Sequence, residues 1–274
     1  MATKKQELLS THFRNIETNI RVEIIKFYCL KNNLSRAKFD LLYPELKCSE
    51  KEFSYYEKQA KLHLNGKDLT FEIGYKHFYN LKLSIVKGVF VPQFDTETLV
   101  DYVLKNYQSG CGFEIGLGTG AISLAIIKNS EIAMIGIDSN KKAIKLTEQN
   151  QKENSLETKE FSFFTSTFPK VNIEGKVDFI ISNPPYIDRD DRFLSQWVKQ
   201  NQPPEALYAK NNGLAFYELI FANYKKWLKP GGEIILEIGF NQKNDLFKII
   251  TNNFKKYNFY KDIQGHDRLL VLKT

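Results

Sequence analysis

The sequence predicts an α/β protein built on a doubly wound, mostly parallel sheet, preceded by a helical segment and a β-hairpin. Three observations carry that expectation. From Cys111 onward, short apolar runs alternate with helix-patterned stretches, as in successive βαβ units. A glycine-rich turn, Gly116-Leu117-Gly118-Thr119-Gly120, joins the first run to a helix, and Asp138 ends the next run about twenty residues on. The apolar run Val177-Asp178-Phe179-Ile180-Ile181 leads into Asn183-Pro184-Pro185-Tyr186. That puts the tetrapeptide at the carboxyl end of a buried parallel strand, where open α/β sheets bind ligands.

The chain has 274 residues, 42% of them hydrophobic, enough for one large domain or a domain with an appendage. No run of about 18 apolar residues appears, and the start, Met1-Ala2-Thr3-Lys4-Lys5-Gln6-Glu7, is too polar for a signal peptide, so a cytoplasmic protein is expected. Cys29, Cys48 and Cys111 are scattered and odd in number, and His12, His63, His77 and His266 have no ligand spacing. Neither a disulfide framework nor a metal site is expected. The net charge of +7 permits a polyanionic partner, but basic residues are interspersed with acidic ones and form no dense run. A general compositional bias explains the charge better than a nucleic-acid footprint does.

Residues 5–65 read as helical, with Leu8, Ile16, Ile20, Ile24 and Phe27 returning at three- to four-residue intervals. Asn33 and Ser35 punctuate the pattern, Tyr43-Pro44 ends a second segment, and Ser49 with Glu52 fits a capping box opening a third. The segment carries no catalytic signature and reads as a packing or docking appendage. Residues 66–92 are β-prone, with Asn80 and Gly88 at turns, and suggest a hairpin linking two domains. Asp95 or Thr96 would then cap a helix running through Leu99, Val100, Val103 and Leu104. The expected boundaries are a helical domain over 1–74, a hairpin linker over 75–94 and a third domain over 95–274.

Within that third domain, the run Phe113-Glu114-Ile115 feeds the glycine turn. Glycines at alternate positions let the backbone approach a ligand closely and leave helix N–H groups pointing at it. The spacing is G-x-G-x-G and departs from the dinucleotide fingerprint G-x-G-x-x-G. Asp138 suits a bidentate hydrogen bond to ribose hydroxyls, so the pair predicts a nucleoside-containing cofactor. A helix over 141–154 and a strand over 161–164 follow. Ser166-Thr167-Phe168 would then flank the base, with Phe168 either stacked on it or buried in the core. Beyond Tyr186 come a polar loop, a proline-stiffened loop Gln202-Pro203-Pro204-Glu205-Ala206-Leu207, and a helix over 213–228. A turn Lys229-Pro230-Gly231-Gly232, a strand over 233–238, a helix over 241–254 and two closing strands complete the chain.

Asn183-Pro184-Pro185-Tyr186 has its own chemistry. Asn183 offers a side-chain carbonyl, Pro184 a backbone carbonyl that no ladder needs, and Tyr186 a flat aromatic face. Two acceptors and an aromatic wall suit a planar NH2 group. An amide or aryl NH2 is a poor nucleophile because its lone pair is delocalised. Holding both its protons would aim that lone pair at an electrophile on the other side. The alternative is a stiff turn after a strand.

Together these residues resemble the release-factor glutamine methyltransferases, class I S-adenosylmethionine-dependent enzymes with a Rossmann-like sheet and an antiparallel C-terminal strand. The likeness takes in the helical N-terminal segment, Asp95-Thr96-Glu97, residues 114–120, Asp138, residues 183–186, residues 203–207 with Gly213-Leu214, and Gly265-His266-Asp267-Arg268. The resemblance implies an S-adenosylmethionine site made by Glu114, Gly116, Leu117, Gly118, Thr119, Gly120, Asp138, Phe168 and Asn183, with S-adenosylhomocysteine as product. It also implies that Asn183, Pro184, Pro185 and Tyr186 hold the substrate amide, with Asn183, Pro184 and Tyr186 catalytic, and that no metal takes part. The implied substrate is the Gly-Gly-Gln glutamine of class 1 peptide chain release factors, methylated at N5 by a monomer that needs no nucleic acid, the helical domain docking the partner. Asn-Pro-Pro-Tyr alone is shared with adenine-N6 DNA methylases and a ribosomal-protein glutamine methyltransferase, and a non-catalytic binding module is a further alternative. The sequence departs from the family pattern at Gln93-Phe94, where Arg-Pro is usual, at Thr167, where an acid is usual, and at Gln202, where Glu is usual.

Overall fold

A computed structural model describes residues 6–32, 34, 36–68, 70–191, 194–251 and 254–274. The expectations touching residues 1–5, Asn33, Ser35 and 252–253 lie outside the described residues. The chain divides into two compact units, Met1–Gly74 and Tyr75–Thr274.

The first unit runs β1 (Gln6–Leu8), α1 (Leu9–His12), α2 (Thr18–Lys31), α3 (Arg36–Leu42), β2 (Lys47–Ser49), α4 (Glu50–Leu64) and α5 (Thr70–Ile73). Its core gathers Leu9, Phe13, Ile24, Phe27, Phe39, Phe53 and Ala60. The capping box is present: the Ser49 hydroxyl accepts from Glu52 N at 3.3 Å, and Ser49 N donates to the Glu52 carboxylate at 2.9 Å. The unit is not helical throughout, because β1 and β2 pair antiparallel. Strands of three residues are too short to leave a two-residue period in the sequence.

The second unit opens with a hairpin, β3 (Tyr75–Phe78) and β4 (Leu81–Ser84). The sequence set 75–94 apart as a linker, but the hairpin is built into this unit. Phe78, Leu81 and Leu83 are buried in one of its cores. The side-chain amide of Asn150 accepts from Ser84 N at 2.7 Å and donates to Ser84 O at 3.2 Å, and Asn154 does the same for Lys82 at 3.2 and 3.0 Å. Two helix amides thus stand in for the strand that the β4 edge lacks.

The rest is α6 (Glu97–Asn106), β5 (Ser109–Ile115), α7 (Ala121–Asn129), β6 (Glu131–Asp138), α8 (Lys141–Glu153), β7 (Phe161–Thr165), β8 (Val177–Ser182), α9 (Gln196–Asn201), α10 (Pro204–Leu207), α11 (Ala215–Asn223), β9 (Leu228–Glu237), α12 (Lys243–Ile250), β10 (Lys256–Lys261) and β11 (Asp267–Lys273). Seven strands form one sheet in the order β10-β11-β9-β8-β5-β6-β7, with β11 antiparallel to both its neighbours. The chain leaves β5 toward β6 and β7, then returns to lay β8 and β9 on β5's other side. The strand order therefore reverses between β5 and β8, and the crevice of such a sheet opens there.

Alternation along the strands fills two cores. Phe113, Ile180, Ile234 and Leu270 pack with Tyr217, Ile220 and Leu246 on one face. Phe179, Ile181, Ile235 and Val271 pack with Leu99, Val103 and Leu124 on the other. Burial on both faces is why these strands read as unbroken apolar runs.

Two expected helices are shorter in the structure. The one over 213–228 ends at Asn223 and a 3-10 turn over Tyr224–Lys226, and the one over 241–254 spans Lys243–Ile250. Lys229-Pro230-Gly231-Gly232 lies inside β9, at a register irregularity opposite β8, instead of forming a turn before the strand. Gly231 takes a φ of +78° there, so glycine and proline mark a break within the ladder. No helix among the described residues is long and apolar enough to cross a membrane.

Candidate functional site

A cavity of about 550 Å³ opens within the second unit at the carboxyl ends of β5, β6 and β8. That size suits a small-molecule cofactor. Gly116, Leu117, Gly118, Thr119, Asp138, Phe168, Asn183 and Pro185 all line it, together with Glu114. Gly120, Pro184 and Tyr186 do not line it.

The glycine loop combines open backbone with internal hydrogen bonds. Gly116, Gly118 and Gly120 take φ of +85°, +56° and +79°, a region that other residues rarely enter. A Cβ at Gly116 or Gly118 would meet nothing within 4 Å, so these two leave open backbone for a ligand, whereas one at Gly120 would lie 2.8 Å from Thr147 Cγ2. The loop amides, however, are largely used internally. Gly116 N and Leu117 N donate to Ile137 O at 2.9 and 3.1 Å, Gly120 N donates to Leu117 O at 2.8 Å, and Gly118 N donates to Asp138 Oδ2 at 2.9 Å. Gly116 N, Leu117 N and Gly118 N thus tie the loop to β6, and Gly120 N closes a turn within the loop.

Asp138 is the loop's anchor. Its other oxygen accepts from Asn140 N at 2.8 Å, and burial pushes its pKa up while these backbone bonds pull it down. A carboxylate has about four lone-pair sites, and with Gly118, Asn140 and Ser139 amides on Asp138 part of that capacity remains for a ligand hydroxyl. Glu114 is buried at 1% exposure, and its Oε2 accepts from Ser123 N at 3.0 Å and from the Ser123 hydroxyl. It thus holds one of the orphan amides in the first turn of α7. Burial raises its pKa to about 8 against the pull of the Ser123 bonds, with Asp138 adding to the rise. Phe168 lines the cavity and, partly buried, packs on Trp227 with ring centroids 5.1 Å apart.

Asn183 sits where β8 ends. Its Nδ2 donates to Thr96 Oγ1 at 3.1 Å, and Oδ1 has no partner among the described residues. Thr96 Oγ1 in turn donates to Glu237 Oε2 at 2.6 Å, and the Tyr186 hydroxyl donates to Glu237 Oε1 at 3.1 Å. The Tyr186 carbonyl accepts from Gln242 Nε2 at 2.9 Å, and Gly213 packs so close that a Cβ there would lie 2.0 Å from the same oxygen. Arg268, 8% exposed, pairs with Asp95 at 3.1 Å and with Asp262 at 3.4 Å, and donates to Ile238 O at 3.3 Å. Thr96 and Asp95 therefore do not cap α6, where no side-chain cap bond exists. Thr96 reaches across to the site and Asp95 to a buried arginine.

Thr96 and Glu237 are the members that sequence reasoning missed. The available signal was a carboxylate ending an apolar run just before a glycine, as Glu114 does before Ile115-Gly116 and Glu237 before Ile238-Gly239. Both lie on the sheet face covered by α6 and α7, and each holds the segment packed above it.

The departures from the family pattern are local. Gln93 Nε2 donates to Val91 O at 2.7 Å, and Val91 N donates to Gln202 Oε1 at 2.9 Å, so both glutamines brace one residue of the cavity's approach. Gln202 Nε2 is buried without a partner among the described residues. Thr167 lines the cavity, and Phe94 is exposed.

A reversed-order sheet with an antiparallel β11, and a cavity on its switch point, define the class I methyltransferase fold. A methyltransferase from Pyrococcus furiosus has the same fold, with a TM-score of 0.54 at 16% identity over 79% of this chain and 97% of that one. Residues 81–202 match the family model described as Methyltransferase small domain. The release factor glutamine methyltransferase of Fusobacterium nucleatum subsp. nucleatum is 37% identical over 76% of this chain and 60% of its own length. That of Aquifex aeolicus is 33% identical over 98% of this chain and 95% of its own. This chain belongs to the release factor glutamine methyltransferase family. It spans 48% to 60% of the length of the first curated relatives it matches.

Proposed function

We propose that this protein transfers the methyl group of S-adenosylmethionine to the side-chain amide N5 of the glutamine in the Gly-Gly-Gln loop of class 1 peptide chain release factors, releasing S-adenosylhomocysteine. The observation that carries the reading is the single cavity shared by Asp138, the open backbone of Gly116 and Gly118, and the unpartnered Asn183 Oδ1. The cofactor, when bound, supplies an electrophilic methyl on a sulfonium.

The protein's own groups do the rest. Asp138 accepts from the ribose hydroxyls with its remaining lone-pair capacity, and Phe168 offers the adenine a face. Asn183 Oδ1 and the Pro184 carbonyl accept one proton each from the substrate amide, so that nitrogen's lone pair points across the cavity. Pro185 lines the floor beside them. Tyr186, outside the cavity lining, backs the amide site with its hydroxyl on Glu237. Positive charge developing on nitrogen is met by the two carbonyl dipoles, so no general base is required before the methyl moves, and the methylated nitrogen then loses one proton to water. The helical first unit docks a more distant face of the release factor, and the protein acts in the cytoplasm as a monomer without nucleic acid or metal.

Incubating purified protein with labelled S-adenosylmethionine and a class 1 release factor should label one glutamine, identified by peptide mass. Transfer instead to adenine in duplex DNA or to a ribosomal-protein glutamine, with the release factor unlabelled, would overturn the assignment.

A further inference from the structure

We infer that Glu237, at the end of β9, is a positioning residue: by taking the Thr96 proton it turns the Asn183 amide so that its oxygen, and not its nitrogen, faces the cavity. The inference rests on reading Asn183 as the acceptor for a substrate NH2. An asparagine amide rotated by 180° occupies almost the same volume, so only its hydrogen bonds choose between the two orientations. A hydroxyl has a single proton. At 2.6 Å from an ionised carboxylate, in the range of charge-assisted bonds, the Thr96 proton goes to Glu237 Oε2. The Thr96 oxygen can then only accept, and the group it faces 3.1 Å away must be the Asn183 NH2. Tyr186 donating to Oε1 leaves the carboxylate acceptor-only at both oxygens.

Protonating Glu237 on Oε2 allows the chain to reverse. Glu237 then donates to Thr96, Thr96 donates to Asn183 Oδ1, and the Asn183 NH2 faces a substrate NH2, donor against donor. The site is competent only with Glu237 ionised. Burial lifts this carboxylate to about 7, so the change falls within the physiological range. The groups around it are Thr96 and Asp95 from the turn before α6, Tyr186 from the loop after β8, Tyr217 from α11, and Arg268 from β11. Thr96, Arg268 and Tyr186 favour the ionised form and Asp95 opposes it. Tyr217 donates to the Glu237 backbone carbonyl at 2.9 Å, which holds the end of the strand in place. Glu114, the other buried strand-end carboxylate, bonds the Ser123 backbone N–H and hydroxyl and no side-chain amide, so it titrates without reorienting a site group.

The test uses the full chain. In ¹⁵N-labelled protein the Asn183 side-chain NH2 signals, identified by their loss in Asn183→Asp, should titrate near pH 7 in the wild type and stay fixed in Glu237→Gln. The wild-type kcat should rise with pH through the same midpoint. Thr96→Val should lower kcat by about 10- to 100-fold with S-adenosylhomocysteine affinity within about threefold, and Thr96→Ser should restore it to within about threefold. Asn183 signals indifferent to pH between 5.5 and 8.5, or a Thr96→Val kcat within about twofold of wild type, would overturn the inference. Should the wild type transfer no methyl to any release factor, the proposed function falls, while the NMR titration still decides the relay.

Discussion

Asn183→Ala is the substitution that separates catalysis from cofactor binding. It removes Asn183 Oδ1, an acceptor without a partner among the described residues, and it leaves Asp138 and the loop over 116–120 untouched. Loss of one preorganised hydrogen-bonding group at a reacting centre costs roughly 10²- to 10³-fold in kcat, or about 3–4 kcal/mol of barrier. The structural cost is smaller. Thr96 keeps its bond to Glu237 and loses one part-buried donor, about 1 kcal/mol, which in a chain of this size lowers the melting temperature by about 2–4 °C. The assays are single-turnover transfer of labelled methyl to the release factor, and calorimetric titration with S-adenosylhomocysteine, whose affinity should change by less than about threefold. A kcat within about threefold of wild type, with the variant folded and cofactor-bound, would refute the clamp. A wild type that binds cofactor but transfers to no acceptor would favour a binding module.

Three further outcomes are expected. Asp138→Ala releases Gly118 N and Asn140 N along with the hydroxyl-binding oxygens, so S-adenosylhomocysteine affinity should fall roughly 30-fold or more, the equivalent of about 2 kcal/mol, as read by calorimetry. Glu114, at about 8, keeps its proton in the folded state well above the ordinary carboxylate range. Its contribution to stability is complete below about pH 4.5 and is lost as pH rises through 8, on the order of 4 kcal/mol between pH 5 and 8. Glu114→Gln should flatten that slope in urea unfolding, and an unchanged slope would place the raised carboxylate elsewhere. Arg268→Met leaves Asp95, Asp262 and Glu237 without their buried cation and should destabilise the fold by about 3–5 kcal/mol, a loss that chemical denaturation would register.

Much of the second unit was legible in the order of the residues. Strands buried on both faces are apolar throughout, so β5, β6, β8 and β9 announced themselves as runs. Glycines at 116, 118 and 120 announced a turn open to close approach, and the structure gives all three positive φ. Short or irregular pieces were not legible. β1 and β2 are three residues each, and the Gly231 irregularity looks in sequence like any turn. Nor was the loop's own bonding legible: the amides of Gly116, Leu117 and Gly118 are consumed by Ile137 O and Asp138, because only the folded βαβ unit brings β6 beneath the loop.

By itself, then, the order of residues determined the strand–helix alternation, the glycine loop with Asp138, and Asn183 at a strand end. Each depends on neighbours within one βαβ unit, where local periodicity and turn chemistry are enough. Only the tertiary structure decided that Thr96 and Glu237, 141 positions apart, meet over Asn183. Hydrogen bonds of that kind have no sequence period. They exist because β9 lies beside β8 and the turn before α6 crosses above both, and the direction of a single hydroxyl proton there sets which face of an amide the cavity sees.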